Sequence, residues 1–139
     1  MDVQVNYWAV FAAMVSSMVV GSVWYARPVF GSLWIKLAKI DMTKDSGPVW
    51  KPIVTTAIVS LITAYVLAHV SYLSNQFFLN SFFQDTMSTA FWMWLGFTAT
   101  RFITHDAFEG RPFKLTFLNI SHEFVTIMAM GLIIGLMGV

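Results

Sequence analysis

The alternation of apolar and polar stretches divides the chain into four apolar segments of roughly membrane-spanning length. These segments cover about residues 5–25, 53–73, 86–105 and 112–137. At a rise of about 1.5 Å per residue, some 20 residues cross a hydrocarbon core of about 30 Å. The pattern therefore predicts an all-α integral membrane protein in which the whole chain, 1–139, forms a single four-helix membrane domain.

The stretch between the first two segments, about residues 28–39, is amphipathic but too short and too basic to cross a membrane. Pro28 suits the first position of a helix, where its missing N–H is no loss. A short helix of this kind is expected to lie along the membrane interface. Residues 41–50, which follow it, are typical of a polar turn. The apolar face of the predicted interfacial helix contains Val29, Phe30, Leu33, Trp34 and Leu37.

The third segment is unusual because it offers only about 15 residues before Arg101, fewer than an ordinary span needs. Arg101 is therefore expected inside the helix, about one turn from its end, where its guanidinium can reach the headgroups or a carboxylate. Residues 74–85, which precede this segment, mix asparagine with phenylalanine and predict an interfacial loop or a short helix.

Charged and aromatic residues near the ends of the predicted spans indicate the orientation of the chain. All 8 Lys and Arg residues fall in the first loop or around the third. Because basic loops stay in the cytoplasm, both termini are expected on the periplasmic side of a multi-pass protein. No basic region precedes the first segment, so it is expected to be a retained span. Trp24, Tyr25 and Trp34 are expected in the aromatic belts of the interface.

Composition supports a place in a bilayer and excludes several kinds of chemistry. Of the 139 residues, 58% are hydrophobic and 11% are charged, which is far from the average of soluble proteins. The absence of cysteine removes disulfides, thiolate metal sites and cysteine nucleophiles. A net charge of +1 gives no reason to expect nucleic acid as a partner. No cofactor is expected, because the sequence contains neither a phosphate loop nor a dinucleotide fingerprint.

A polar stripe on the fourth segment is the main candidate site. Glu123 lies about 16 Å along the helix from the start of this segment, near the bilayer centre. Because an unpartnered charge facing lipid costs several kcal/mol, Glu123 is expected to contact Asn119, His122, Arg101 or a symmetry mate. The predicted intramembrane site therefore consists of Arg101, Asn119, His122 and Glu123. The same helical face also carries Thr116 and Thr126.

Two interpretations of this stripe remain open. A lone carboxylate at this depth could exchange protons along a path through the membrane. A carboxylate beside Arg101 or His122 would instead stay ionised. Equally, hydrogen-bonding side chains can bind helices to one another and fix their register without any further role.

The turn between the third and fourth segments carries a second group of polar side chains: His105, Asp106, Glu109 and Arg111. Histidine and carboxylate groups are ligand types for divalent metals. His105 and Asp106, however, are adjacent and point about 100° apart on a helix. A solvated cytoplasmic turn closed by Gly110 is therefore expected there in preference to a metal site.

Small residues recur every four positions in three of the segments and predict close helix packing. Because one four-helix protomer has little protein in which to bury a polar stripe, a homo-oligomer is also expected. The small-residue faces contain Ala13, Ser17 and Gly21 in the first segment, Thr56, Ser60, Ala64 and Ala68 in the second, and Gly131 and Gly135 in the fourth.

Several short motifs indicate a family. They are GSVWYARPVFGSLW at residues 21–34, WLGF at 94–97, FEGR at 108–111 and LN at 118–119. With these motifs the chain resembles, over nearly its whole length, a bacterial integral-membrane family called domain of unknown function 1761. The resemblance implies four helices and a place in the bacterial inner membrane. It implies no activity, and His122 and Glu123 lie outside the motifs that carry it.

Three functions compete on this basis. The polar stripe favours an oligomeric channel or a transporter of a proton or small solute, with its path on the third and fourth segments. The lack of recognisable reaction chemistry favours an accessory or scaffold subunit of a larger membrane complex. An intramembrane enzyme, acting on lipid or quinone through His105, Asp106, Glu109 or His122, is the least favoured of the three.

Overall fold

The computed structural model of the protein describes residues 3–43 and 47–139. Every element in these ranges is helical, which confirms the predicted all-α class. Residues 44–46, in the expected polar turn at 41–50, lie outside the described ranges. The elements in chain order are α1 (Tyr7–Trp24), a π-helical turn (Arg27–Gly31), α2 (Ser32–Leu37), α3 (Trp50–Phe78), α4 (Phe82–Met93), a π-helical segment (Trp94–Ala99), α5 (Thr100–Phe108) and α6 (Phe113–Met137).

Three helices of the described chain, α1, α3 and α6, are long and apolar enough to cross a membrane. The predicted span at 86–105 is not among them, because the helical chain there is divided into α4, the π-helical segment and α5. These pieces contain 12, 6 and 9 residues and follow one another without interruption from 82 to 108. A count of four spans therefore remains a prediction.

The two termini of the helical bundle lie at the same end. The Asn6 side chain caps α1 by accepting hydrogen bonds from the backbone N–H groups of Trp8 and Ala9 at 3.1 and 3.2 Å. Its amide also donates to the carbonyl of Met137, at the end of α6, over 3.4 Å. At the opposite end, the Tyr25 hydroxyl donates to Asn119 Oδ1 over 3.3 Å. Helices α1 and α6 are therefore antiparallel neighbours.

The prediction of an interfacial loop or short helix at 74–85 was wrong in its bounds. Helix α3 continues to Phe78, and α4 begins at Phe82. The Asn75 and Asn80 side chains donate to the two carboxylate oxygens of Asp85 at 2.8 and 2.9 Å, which ties the two helix ends together. The mixture of polar and aromatic residues suggested a segment at the level of the lipid headgroups. The sequence alone does not show that the asparagine amides bond to the aspartate carboxylate.

Helix α6 is the centre of the bundle, and its two glycines accommodate α4. A Cβ atom added to Gly131 would lie 2.9 Å from the Cβ of Ala90, and one added to Gly135 would lie 3.1 Å from the ring of Phe83. Small residues thus allow close approach here, as their spacing predicts, but between helices of one chain. Ala13 and Ala64, from the other small-residue faces, are also fully buried. Self-association remains a prediction.

Helices α1 and α3 pack tightly over only part of their lengths. Their shared core lies toward the start of α1 and the second half of α3, where Ala13, Ala64 and Leu67 are at most 1% exposed. The first half of α3 is different, since no residue from 50 to 59 is buried, and Ile53 and Ile58 are 51% and 55% exposed. The two helices therefore separate toward the end of the bundle where α1 ends and α3 begins.

The connection between α1 and α2 is compact. The N–H groups of Val29 and Gly31 both donate to the carbonyl of Ala26 at 3.0 Å, which closes the π-helical turn. Gly31 is buried, and a Cβ atom at this position would lie 2.2 Å from the carbonyl oxygen of Tyr25. This close backbone approach brings Trp34, on α2, beside the ring of Tyr25 with centroids 5.4 Å apart.

Candidate intramembrane site

A crevice of about 780 Å³ lies between α1, α3 and α6. It follows from the separation of α1 and α3 and runs from Pro52, at the start of α3, to Ser17 and Met130 deeper in the bundle. Beyond these residues the buried contacts of Ala13 and Ala64 close it. The crevice walls combine apolar side chains with those of six serine and threonine residues, Ser17, Ser22, Thr56, Ser60, Thr63 and Thr126.

Glu123 and His122 line this crevice from α6. His122 Nδ1 lies 3.2 Å from Glu123 Oε1, and the side chains are 12% and 32% exposed respectively. Because an ionised carboxylate can only accept hydrogen bonds, Nδ1 must carry a proton when Glu123 is ionised. The other ring nitrogen, Nε2, lies 3.4 Å from Thr126 Oγ1, whose hydroxyl can donate to it. A neutral His122 therefore satisfies both contacts.

Aromatic side chains from the α1–α2 connection surround His122. The ring of Tyr25 lies 4.8 Å from the imidazole between centroids, and that of Trp24 lies 5.9 Å away. A Cβ atom added to Gly21 would be 3.6 Å from His122 Nε2, so this glycine also faces the imidazole. Residues of the 21–34 motif therefore pack against His122, which is not part of that motif.

Sequence reasoning assigned Trp24, Tyr25 and Trp34 to an aromatic belt and so missed their place beside the polar stripe. Tyr25 and Trp34 line the crevice, and Tyr25 also donates a hydrogen bond to Asn119. The sequence did contain a sign of this arrangement, since these aromatic residues flank Pro28 and Gly31. A glycine in a turn permits close backbone approach and so can bring the flanking side chains together. Position near a span end does not distinguish a side chain at the lipid surface from one turned inward.

Of the four residues predicted to form the intramembrane site, the structure brings three together. Glu123 is beside His122, and Asn119 is joined to Tyr25 in the same region. Arg101 is exposed on α5 and makes no hydrogen bond or ion pair with any residue in the ranges 3–43 and 47–139. Helix α6 turns the stripe toward α1 and α3, so Arg101 does not reach the carboxylate.

The turn between α5 and α6 is less solvated than its sequence suggests. Asp106 is only 5% exposed and accepts a hydrogen bond from the Thr116 hydroxyl over 2.7 Å. Arg111 Nε lies 3.8 Å from Asp106 and donates to Glu109 over 2.6 Å. Asp106 therefore joins α5 to α6, while His105 and Glu109 are exposed as expected for a turn.

Gly110 makes this turn possible, with a φ of 65° that glycine adopts without strain. Its N–H donates to Ala107 O over 3.3 Å, and the N–H of Arg111 donates to Asp106 O over 2.9 Å. This pair of bonds is the Schellman arrangement that ends many helices. Within the described chain, no three His, Asp or Glu side chains converge on a point suited to a metal ion.

Comparison with known sequences places the chain in a family. The sequence model of the family described as protein of unknown function (DUF1761) matches residues 8–135. The chain belongs to this family, as its motifs predict. Comparisons with curated proteins and with solved structures give no match.

Proposed function

We propose that this protein is a four-span protein of the bacterial inner membrane that moves a proton or a small solute through the crevice. The observation that carries the proposal is the Glu123–His122 pair on the crevice wall, 3.2 Å apart. A carboxylate and an imidazole in contact can pass a proton between them. The path differs from the expected one, since it lies between α1, α3 and α6.

The shape of the crevice supports transport more than a structural role for the polar stripe. A contact that only fixes helix register has no need of an adjoining cavity, whereas Glu123 is 32% exposed and lines the crevice. The crevice is also closed beyond Ser17 by the contacts of Ala13 and Ala64. A site that opens toward one side of the membrane is what a carrier presents in each of its two access states.

The first test replaces Glu123 with glutamine and measures proton flux. Protein reconstituted in proteoliposomes with a pH-sensitive dye should acidify the lumen when a potassium diffusion potential is imposed. Glu123→Gln keeps the shape of the side chain but removes the exchangeable proton, so flux should fall by about tenfold or more.

Glu109→Gln is the matched control, because Glu109 is an exposed carboxylate in the α5–α6 turn and does not line the crevice. Its flux should equal that of the wild type. Both variants should unfold at the wild-type concentration of sodium dodecyl sulfate. Wild-type flux from a folded Glu123→Gln protein would exclude Glu123 as the proton carrier.

Topology is tested by single cysteines, since the natural chain has none. Gln76, near the end of α3, and Lys36, on α2, are both exposed. If the basic loops are cytoplasmic, Gln76→Cys should react with an impermeant maleimide in intact cells, and Lys36→Cys only after the membrane is opened. The reverse pattern would overturn the proposed orientation, and equal labelling of both sites would overturn the count of spans.

A further inference from the structure

We propose that the crevice binds a lipophilic organic cation, with Glu123 as its counter-ion and the rings of Tyr25 and Trp34 beside it. The inference rests on the proposed function, because it names the class of solute for the same crevice. It follows from the charge, the aromatic groups and the size of the lining, each of which points to the same kind of ligand.

The crevice wall carries the carboxylate of Glu123. Its lining in the described chain includes Glu123 but no lysine or arginine. The basic group beside Glu123 in this described lining is His122, whose contacts with Glu123 and Thr126 are both satisfied when its imidazole is neutral. Arg101, the predicted partner, is exposed on α5. When His122 is neutral, a positively charged ligand stabilises the partly buried Glu123 carboxylate more than a neutral ligand of the same shape would.

Two aromatic rings lie where they can contact the same ligand. Tyr25 and Trp34 both line the crevice, with centroids 5.4 Å apart and planes at 66°. The face of an indole or phenol ring attracts a cation, and the attraction is strongest for weakly hydrated organic cations in a partly dry site. A small inorganic cation would instead require several oxygen ligands at short distance.

The remaining walls suit the apolar part of such a molecule. Met18, Ile53, Val59 and Ile127 line the crevice beside the serine and threonine residues. Its volume of about 780 Å³ falls within the range of about 300–1,000 Å³ that small-molecule sites occupy. A substituted ammonium could come from a free solute or from the headgroup of phosphatidylethanolamine, and both offer the same chemistry to Glu123.

Equilibrium binding tests the inference with two probes of nearly equal shape and opposite charge. Tetraphenylphosphonium is expected to bind saturably to the purified protein in phosphatidylglycerol nanodiscs, whereas tetraphenylborate is not. Glu123→Gln should weaken tetraphenylphosphonium binding by about tenfold or more, and Glu123→Asp should restore most of it. Trp34→Leu should weaken it by about threefold to tenfold, with Trp34→Phe close to wild type.

Nanodiscs that contain phosphatidylethanolamine distinguish the two sources of the ammonium group. Unchanged affinity for tetraphenylphosphonium identifies a free solute, and reduced affinity identifies a competing lipid headgroup. Equal binding of the two probes, or equal binding to the wild type and a folded Glu123→Gln protein, would overturn the cation site. Because binding is measured without flux, retained proton flux with no tetraphenylphosphonium binding would reject the ligand class and leave the proposed function standing.

Discussion

Gly31→Ala protein should unfold at a much lower concentration of sodium dodecyl sulfate than the wild type, with a loss of about 3 kcal/mol or more in the free energy of unfolding. The reason is steric, because the added Cβ would lie 2.2 Å from the carbonyl oxygen of Tyr25 and 2.9 Å from the carbonyl carbon of Ala26. Both obstructing atoms belong to the backbone, so no side chain can rotate away. The turn between α1 and α2 would have to open.

The backbone conformation of Gly31 does not itself exclude alanine, since its φ of −60° and ψ of −43° are ordinary helical values. Gly96→Ala is therefore a matched control from another family motif, because a Cβ there meets no atom within 4 Å. Its stability should be unchanged or slightly raised, as alanine favours a helix over glycine. If Gly31→Ala and Gly96→Ala unfold at the same concentration, the close approach described for the turn does not exist.

Removal of the Asp106 carboxylate is expected to be the second most damaging change. Asp106→Ala would leave the Thr116 hydroxyl, on a residue only 3% exposed, without its acceptor at 2.7 Å. A hydrogen bond to a buried charged group contributes about 1.5–3 kcal/mol, so a loss of about 2 kcal/mol in the free energy of unfolding is expected. Denaturant titration of the purified protein in mixed micelles measures it.

Glu109→Ala controls for the loss of a carboxylate in the same turn. Glu109 and Arg111 form an exposed ion pair, with side chains 53% and 48% exposed, so this change should have an effect of about 0.5 kcal/mol or less. The double variant Asp106→Ala, Thr116→Ala completes a cycle, in which the two single losses should exceed the double loss by about 1 kcal/mol. Strict additivity would show that the two side chains do not interact.

Helical periodicity was enough to place Asn119, Glu123 and Thr126 on one face, because the repeat of an α-helix is set by its own backbone hydrogen bonds. It could not show which helix that face meets. The structure turns it toward α1 and α3, and the predicted partner Arg101 lies elsewhere. Which helix the polar face contacts depends on how all the helices pack together, and no local sequence pattern contains that information.

The other errors have the same origin. Asp106 has the composition of a solvated turn, and its burial depends on Thr116, ten residues away on the next helix. The π-helical segment at Trp94–Ala99, which the sequence analysis did not predict, likewise has no signature in its apolar sequence. The apolar segments, the small-residue faces and the turn glycines could be predicted from the sequence, because each depends only on residues that are close together in the chain.

The separation of α3 from the bundle also has a mechanical consequence. From Ser60, where α3 is buried, to its start at Trp50, the free part of the helix is a rigid arm of about 15 Å at 1.5 Å per residue. A tilt of about 20° around the small residues below it would move the tip by about 5 Å, within the range of ordinary helix motions. Because Leu67, Ala68 and Ser71 hold the second half of α3 in the core, the arm would move by a bend of the helix near Ser60, while the rest of α3 stayed in place.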